Sequence, residues 1–141
     1  MEPQWVEGLE NVLARSPRPG YGSLDVPAES VNTWLVSVNR MGIQSIICLL
    51  NDHQLHYYSR LPNGLLDYYT CKGFQVTHIP ITDPTHDERG WQELDNNLEN
   101  IYEAFKTLPK PVLVHCSAGI DRTGRAINYI QECLRKEKRK R

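Results

Sequence analysis

The amino-acid sequence predicts an α/β fold, with a central and mostly parallel sheet of about four to five strands flanked by helices. Short, almost continuously apolar segments alternate along the chain with longer segments whose apolar residues recur at helical spacing. Continuously apolar strands are typical of parallel sheets that helices cover on both faces. Because ligand sites in such sheets lie at the carboxyl ends of the strands, functional residues are expected in the loops that follow them.

The first half of the chain contains a predicted helix and a predicted strand, which follow a loop rich in proline and glycine at residues 16–22. Asp25 and Pro27 are start signals for the helix, and Gly42 is a stop signal. The apolar face of this helix consists of residues at helical spacing, namely Val31, Trp34, Leu35, Val38 and Met41. The segment Ile43–Leu50 comes next and is typical of a strand that is buried on both faces.

The same alternation continues toward the C-terminus. A helical segment around residues 65–69 ends at Gly73, and Phe74–Ile81 is predicted to be a strand before a loop at residues 82–90. A long amphipathic helix is then predicted from Trp91 up to two closing prolines, with an apolar face of Leu94, Leu98, Ile101, Phe105 and Leu108. A short strand, Val112–Val114, precedes a last helix whose inner face is expected to carry Ala126, Ile127, Ile130 and Leu134.

The length and composition indicate one domain over residues 1–141 and limit the classes of function. A formal net charge of −1 provides no basic field, so neither nucleic acid nor an anionic membrane is expected as a partner. The N-terminus lacks the pattern of a signal peptide, and no apolar run approaches the roughly 20 residues of a membrane span. Four cysteines without a CxxC pair indicate neither a disulfide framework nor a zinc site. We therefore expect a cytoplasmic monomer without a metal ion or another cofactor.

The loop after Val112–Val114 carries the most specific chemical pattern in the chain. Cys116 is followed after five residues by Arg122, where a helix is predicted to begin. In a tight turn between a strand and a helix, successive backbone N–H groups point inward and bind a tetrahedral oxyanion. The guanidinium of Arg122 can add two parallel hydrogen bonds to the same anion. The donors of this predicted phosphate-binding site belong to Ser117, Ala118, Gly119, Ile120, Asp121 and Arg122.

The same positive environment favours the thiolate form of Cys116, which makes this residue the predicted nucleophile. Thr123 can donate a hydroxyl hydrogen bond to the sulfur, whereas His115 is expected to organise the loop through its ring N–H groups. The alternative is that Cys116 is a small buried residue and Arg122 a surface cation, because free cysteine is commonly buried. That alternative leaves unexplained why a polar loop with glycine directly follows an apolar strand.

The stretch His115–Gly124 resembles the Cys-x5-Arg-Ser/Thr signature of the protein tyrosine phosphatase superfamily, and the late position of the loop resembles the dual-specificity branch. The resemblance implies a metal-free reaction in two steps through a phosphocysteine, with an upstream aspartate as general acid. Asp83, in the segment His78–Pro84, matches the acid loop of the family. Asp87 and Glu88 are alternatives on the same loop, and Asp83 could instead only begin a turn before the following proline.

Three features depart from the pattern of the family. Asp121 brings a carboxylate to a position where many members carry Gly, and Ile120 replaces the Lys of some inositol-lipid phosphatases. Both differences weaken the fit of a highly anionic substrate. The chain also ends soon after Arg122, whereas family members commonly continue into further helices, so the C-terminal helices are expected to be short or missing.

The resemblance predicts hydrolysis of phosphate monoesters in phosphorylated proteins, on phosphotyrosine with or without phosphoserine and phosphothreonine. RNA 5′-triphosphatase and phosphoinositide phosphatase activities are alternatives within the same chemistry. Sulfur transfer by a rhodanese-like domain fits less well, because it accounts neither for the spacing from Cys116 to Arg122 nor for Asp83. The presence of all three residues also argues against a non-catalytic phosphate-binding module.

Overall fold

The computed structural model describes residues 2–140, so Met1 and Arg141, the two ends of the predicted domain, lie outside the described residues. Its sheet has five strands in the order β1-β2-β5-β3-β4. Strands β2, β5, β3 and β4 are parallel, and the edge strand β1 pairs with β2 in the antiparallel direction. The strands are β1 (Gln4–Trp5), β2 (Leu13–Ser16), β3 (Ser45–Cys48), β4 (Gln75–His78) and β5 (Val112–His115). The predicted mostly parallel sheet is thereby confirmed.

Five α-helices and one short 3₁₀ turn surround this sheet. They are α1 (Ala28–Arg40), α2 (Asp52–Leu55) with the 3₁₀ turn His56–Tyr58, α3 (Gly64–Cys71), α4 (Arg89–Thr107) and α5 (Asp121–Arg139). The helices α1 and α4 each bury four of their five predicted face residues, with Met41 and Leu108 only partly buried, and α5 buries three of its four predicted residues. Leu134, the fourth, is only partly buried. Among residues 2–140, no helix is both long and apolar enough to cross a lipid bilayer.

The strands are apolar on both faces because each face of the sheet packs against a different set of helices. Ile47 and Val114 belong to one core cluster together with residues of α4 and α5. Ile46 and Leu113, their neighbours along the chain, belong to a second cluster with residues of α1 and α3. Side chains alternate between the faces of a strand, so a strand covered on both sides must be apolar at every position.

Four elements were not predicted, namely β1, β2, α2 and the 3₁₀ turn, and the strands β3 and β4 are both shorter than expected. The strands β1 and β2 are absent from the sequence-based prediction because Leu13–Ser16 contains two polar residues and has no apolar run. It forms a strand because it pairs along its whole length with β5, from Leu13 opposite Val112 to Ser16 opposite His115. The four-residue helix α2 is too short to produce a periodic pattern. Strand β4 ends before Pro80, which has no N–H group for a sheet ladder.

The register of the parallel strands brings four loops to one edge of the sheet. Ser16 and Cys48 are both opposite His115, and Cys48 is also opposite His78. These four residues are the last of their strands. The loops that begin at Pro17, Leu49, Ile79 and Cys116 therefore start side by side, as expected for the functional edge of such a sheet.

His115 is the centre of a buried network beneath these loops. Its Nδ1 lies 3.0 Å from the carbonyl oxygen of Cys116, which can only accept, so Nδ1 carries the proton. Its Nε2 then accepts from the Tyr69 hydroxyl at 2.9 Å. Trp34 packs edge-on against the imidazole and donates its indole N–H to Ser16 Oγ at 2.9 Å. Burial, chiefly, lowers the pKa of His115 from 6.5 to about 4, so the ring is neutral near pH 7.

This lowered pKa makes the stability of the fold dependent on pH. The unfolded chain binds a proton at His115 below about pH 6.5, whereas the folded chain binds it only near pH 4. The free energy of unfolding should therefore fall by about 3 kcal/mol as the pH decreases through this interval. Denaturant titrations at a series of pH values measure this decrease. His115→Asn should be less stable but should lose most of this pH dependence, whereas the exposed His56→Asn should keep it.

Candidate active site

A cleft of about 430 Å³ lies at the carboxyl ends of the parallel strands. Its base is formed by the loop between β5 and α5, and its walls come from the loops that follow β2, β3 and β4. The residues that line it are Arg18, Tyr21, Gly22, Leu24, Gln54, Tyr57, Asp83, Thr85, His86, Cys116, Ser117, Ala118, Asp121 and Arg122. All residues predicted to perform chemistry therefore lie in this cleft or directly behind it.

The loop between β5 and α5 is held in a tight turn. Gly119 has a φ of 77°, and a Cβ at this position would lie 2.7 Å from backbone atoms of Ser16 and Pro17. Only glycine fits here without strain. Arg15 fixes the outside of the turn with a hydrogen bond of 2.8 Å from Nη2 to the Gly119 carbonyl oxygen. No backbone acceptor in residues 2–140 pairs with the N–H groups of residues 117–120, so these donors are available to an anion.

Cys116 follows the last residue of β5 and has 2% of its surface exposed, with its thiol free. The hydroxyl of Thr123, on the first turn of α5, is buried and has no hydrogen-bond partner among the described residues. The predicted bond from Thr123 to the sulfur is therefore not among the contacts of the structure. Cys48 lies behind the loop, and burial raises its pKa to about 12, so it is a neutral thiol.

The guanidinium of Arg122 is almost completely buried, with 1% of the residue exposed. Its Nη1 donates to the carbonyl oxygens of Leu49 at 3.1 Å and Ile81 at 2.8 Å. It also donates to Gln54 Oε1 at 3.0 Å. These acceptors come from the loops after β3 and β4, so two neighbouring strands fix the orientation of a cation that belongs to α5.

Asp83 pairs with the other end of this guanidinium. Its Oδ2 accepts from Arg122 Nη2 and from Gln54 Nε2, both at 3.2 Å. Its Oδ1 accepts from the backbone N–H of Thr85 at 3.0 Å and from the hydroxyl of Thr85 at 2.8 Å. Burial alone would raise the pKa of Asp83, but the bonds from Thr85, the charge of Arg122 and the bond from Gln54 together lower it.

The two alternative general acids, Asp87 and Glu88, lie outside the lining of the cleft. Asp87 is absent from the cleft lining and forms an exposed ion pair of 2.7 Å with Arg89. That pairing, through hydrogen bonds from Arg89, lowers the pKa of Asp87 as well. Glu88 is exposed and does not line the cleft either. Asp83 is therefore the carboxylate that the fold brings closest to Arg122.

The other predicted binding residues divide into two groups. Ser117, Ala118 and Asp121 line the cleft. Ile120 points to solvent with 58% of its surface exposed, and Gly119 is buried against the preceding loop, so these two can contribute only backbone groups. His115 does not reach the cleft and holds the loop from behind.

Sequence analysis did not identify Gln54 or Arg18 as site residues. Gln54 belongs to the short helix α2, where it forms a capping box with Asn51. The pattern Asn-x-x-Gln directly after an apolar strand is a signal that could have located this helix start. Arg18 lies in a loop whose proline and glycine content predicts only a turn. Tyr57, in the 3₁₀ turn after α2, also lines the cleft.

The arrangement combines a thiol, unpaired N–H donors, a fixed guanidinium and a carboxyl group around one cleft. These are the components that a site needs to bind a tetrahedral oxyanion and to transfer it to sulfur. In residues 2–140, no group of three or more His, Cys, Asp and Glu side chains is arranged to hold a metal ion.

Comparisons with known proteins agree with this geometry. A family model described as the tyrosine phosphatase family matches residues 72–139, a range that contains both Asp83 and the loop of Cys116. The crystal structure of a kinase-associated phosphatase, whose catalytic cysteine was replaced by serine, superposes with a TM-score of 0.62 and 25% sequence identity. The alignment covers 86% of this chain and 65% of that phosphatase, so the chain spans less than two thirds of its length. No curated protein sequence matches the chain significantly.

The range matched by the family model contains Asp83, Cys116 and Arg122 but not the cleft residues from the first half of the chain, and the fold similarity extends over most of the chain. The motif, the fold and these comparisons together show that the chain is similar to tyrosine phosphatases in its second half and to a kinase-associated phosphatase in its fold.

Proposed function

We propose that this protein is a cysteine-dependent phosphatase that hydrolyses phosphate monoesters of phosphorylated proteins. The observation that carries the proposal is the common position of Cys116, Arg122 and Asp83 in one cleft, above a loop with free N–H donors. The match of residues 72–139 to the tyrosine phosphatase family model and the similarity to a kinase-associated phosphatase support it. These groups are the nucleophile, the anion donors and the acid that transfer of a phosphoryl group to sulfur requires.

The proposed reaction has two steps. The Cys116 thiolate attacks phosphorus, the bond from phosphorus to the ester oxygen breaks, and the leaving oxygen takes the proton of Asp83. The N–H groups of the loop and the guanidinium of Arg122 stabilise the phosphoryl oxygens during transfer. Water then attacks the phosphocysteine and gives a proton to the Asp83 carboxylate. Inorganic phosphate leaves and the thiolate is restored.

The contact between Asp83 and Arg122 suggests how the acid obtains its proton. In the free protein this pairing, with the hydrogen bonds from Thr85, lowers the pKa of Asp83 and favours the carboxylate. A phosphate dianion that binds beside Arg122 competes for the guanidinium and brings negative charge next to Asp83. Both effects raise the affinity of Asp83 for a proton. Substrate binding would therefore itself favour the protonated acid.

An aryl phosphate fits this cleft better than a polyphosphate does. Tyr21, Tyr57 and Leu24 form part of the wall and provide apolar surface for an aromatic ring. Asp121 adds a carboxylate to the rim, which disfavours phosphoinositides and RNA 5′-triphosphates. Phosphotyrosine, with or without phosphoserine and phosphothreonine, is the substrate that we infer. A cytoplasmic location, a monomeric state and a lack of nucleic-acid partners remain predictions from the sequence.

The role of the nucleophile is tested by Cys116→Ser. This variant should lose turnover of an aryl phosphate by at least roughly a thousandfold, because a neutral serine hydroxyl is a poor nucleophile here. It should still bind inorganic phosphate, since the N–H groups and Arg122 remain. Steady-state kinetics and calorimetry measure the two properties. The matched control is the exposed Cys71→Ser, which should behave like the wild type in both assays. Turnover near the wild-type rate in Cys116→Ser would show that the nucleophile is another group.

The role of the acid is tested by Asp83→Asn with substrates of different leaving groups. The variant should slow tyrosyl phosphate by roughly 10²- to 10³-fold and dinitrophenyl phosphate far less, because a good leaving group needs no proton. The exposed Asp87→Asn is the matched control and should leave both rates unchanged. If instead Asp87→Asn causes the loss that depends on the leaving group, Asp83 is not the acid.

The pH dependence of the wild type gives a second measure of the same acid. An acid must be protonated to act, so the rate falls as pH rises through its pKa. The value of kcat/KM reports the free enzyme and kcat reports the complex. Because Arg122 and Thr85 lower the pKa of Asp83 in the free protein, the basic limb of kcat/KM should lie at lower pH than that of kcat. Asp83→Asn should flatten the basic limb of the kcat/KM profile and the basic limb of the kcat profile.

A further inference from the structure

Arg18 lies directly beside the loop of Cys116 and is 3% exposed. Its backbone N–H donates to the carbonyl oxygen of Ser117 at 2.8 Å, and its side-chain Nε donates to Ser117 Oγ at 3.2 Å. Its two terminal nitrogens donate to the Tyr58 hydroxyl at 3.2 Å and to the Ser23 carbonyl oxygen at 2.7 Å. One residue from the loop after β2 thus holds both the main chain and the side chain of Ser117.

The positive charge of Arg18 has no counter-ion in the described chain. All of its hydrogen-bond partners are neutral, and none of the ion pairs among residues 2–140 includes it. The centre of the Tyr57 ring lies 4.9 Å from the guanidinium carbon of Arg18. This ring attracts the cation through its π-electrons but carries no formal charge that could neutralise it. A buried cation without a counter-ion is unfavourable, so an anion that approaches it is attracted.

The position of Arg18 indicates which anions can approach it. Arg18 lines the same cleft as Cys116 and Arg122, and it contacts the residue that follows the thiol. The charge of Arg18 also reaches His115, where it adds to the effect of burial in lowering the pKa of that ring. The titratable and charged groups around the thiol are Arg18, Arg122, Asp83, His86 and Asp121 in the cleft, Cys48 and His115 behind it, and Arg15 on the outside of the loop.

We propose that Arg18 is a second active-site cation: a positioning residue that fixes Ser117 and whose uncompensated charge favours both the Cys116 thiolate and a bound phosphate. In this proposal Arg122 contacts the phosphate directly, whereas Arg18 acts indirectly, by positioning Ser117 and through the electric field of its charge. The inference concerns the proposed phosphate site, but it does not require that the site catalyses hydrolysis.

The test uses four variants of the full chain and two measurements that need no turnover. Arg18→Gln and Arg18→Met remove the charge, and Met also fills the space of the arginine stem. Arg18→Lys keeps the charge and loses the bond from Nε to Ser117. Arg60→Gln is the matched control, because Arg60 is an exposed arginine paired with Asp25. Calorimetry measures the dissociation constant for inorganic phosphate, and mass spectrometry follows the alkylation of Cys116 by iodoacetamide against pH.

The two neutral variants should bind phosphate roughly tenfold more weakly than the wild type. The midpoint of the alkylation profile should move upward by about one pH unit, because the thiolate loses a nearby cation. Arg18→Lys should keep its midpoint close to that of the wild type while its phosphate affinity falls. Arg60→Gln should change neither property. Thermal unfolding of each variant shows whether it is folded.

Folded neutral variants with the affinity and the midpoint of the wild type would overturn the proposal and leave Arg18 as a packing residue. If neither neutral variant folds, Arg18→Lys tests the proposal, because it keeps the positive charge. A shift of a full pH unit in its alkylation midpoint would mean that the charge is not the cause, and it would overturn the proposal. If the wild type binds phosphate but hydrolyses no ester, the proposed hydrolysis fails while the role of Arg18 is still measured.

Discussion

Arg122 carries a charge that is almost completely removed from water, and the rest of the site depends on how that charge is accommodated. A buried guanidinium is tolerated only where acceptors surround it. The carbonyl oxygens of Leu49 and Ile81 are such acceptors, and they are available because β3 and β4 end beside β5. Gln54 and Asp83 complete the set. The sheet edge thus holds the cation in place before any anion binds.

The proposed mechanism links phosphate binding to proton transfer. Despite partial burial, the hydrogen bonds from Thr85 and the charge of Arg122 lower the pKa of Asp83, so the proposed acid is a carboxylate in the free protein. In the proposed reaction, a bound dianion would compete for the guanidinium of Arg122 and favour the protonated form of Asp83. Arg18 adds a second positive charge that pairs with no carboxylate among residues 2–140. The cleft is therefore arranged to receive an anion, although the chain as a whole has a net charge of −1.

The sequence predicted those elements whose cause is local. The helix α1 has a start signal, a stop signal and an apolar face at the correct spacing, and all three agree with the structure. The strands β3 and β5 were predicted because helices on both faces require apolar residues at every position. Strand β2 has no such pattern, because Arg15 and Ser16 are polar. Its conformation comes from pairing with β5, and a partner distant in sequence is not visible in a local pattern.

The same division applies to the active site. A local sequence pattern indicated the loop of Cys116 and Arg122, because the predicted nucleophile, the N–H donors and the arginine lie within one short stretch between a strand and a helix. It also indicated Asp83 among three acidic residues, but only the fold separates Asp83 from Asp87, by pairing one with Arg122 and the other with Arg89. The contributions of Gln54 and Arg18 were decided by tertiary structure alone. They are 68 and 99 residues from the groups they bind, and contact over such separations depends on how the strands are ordered in the sheet.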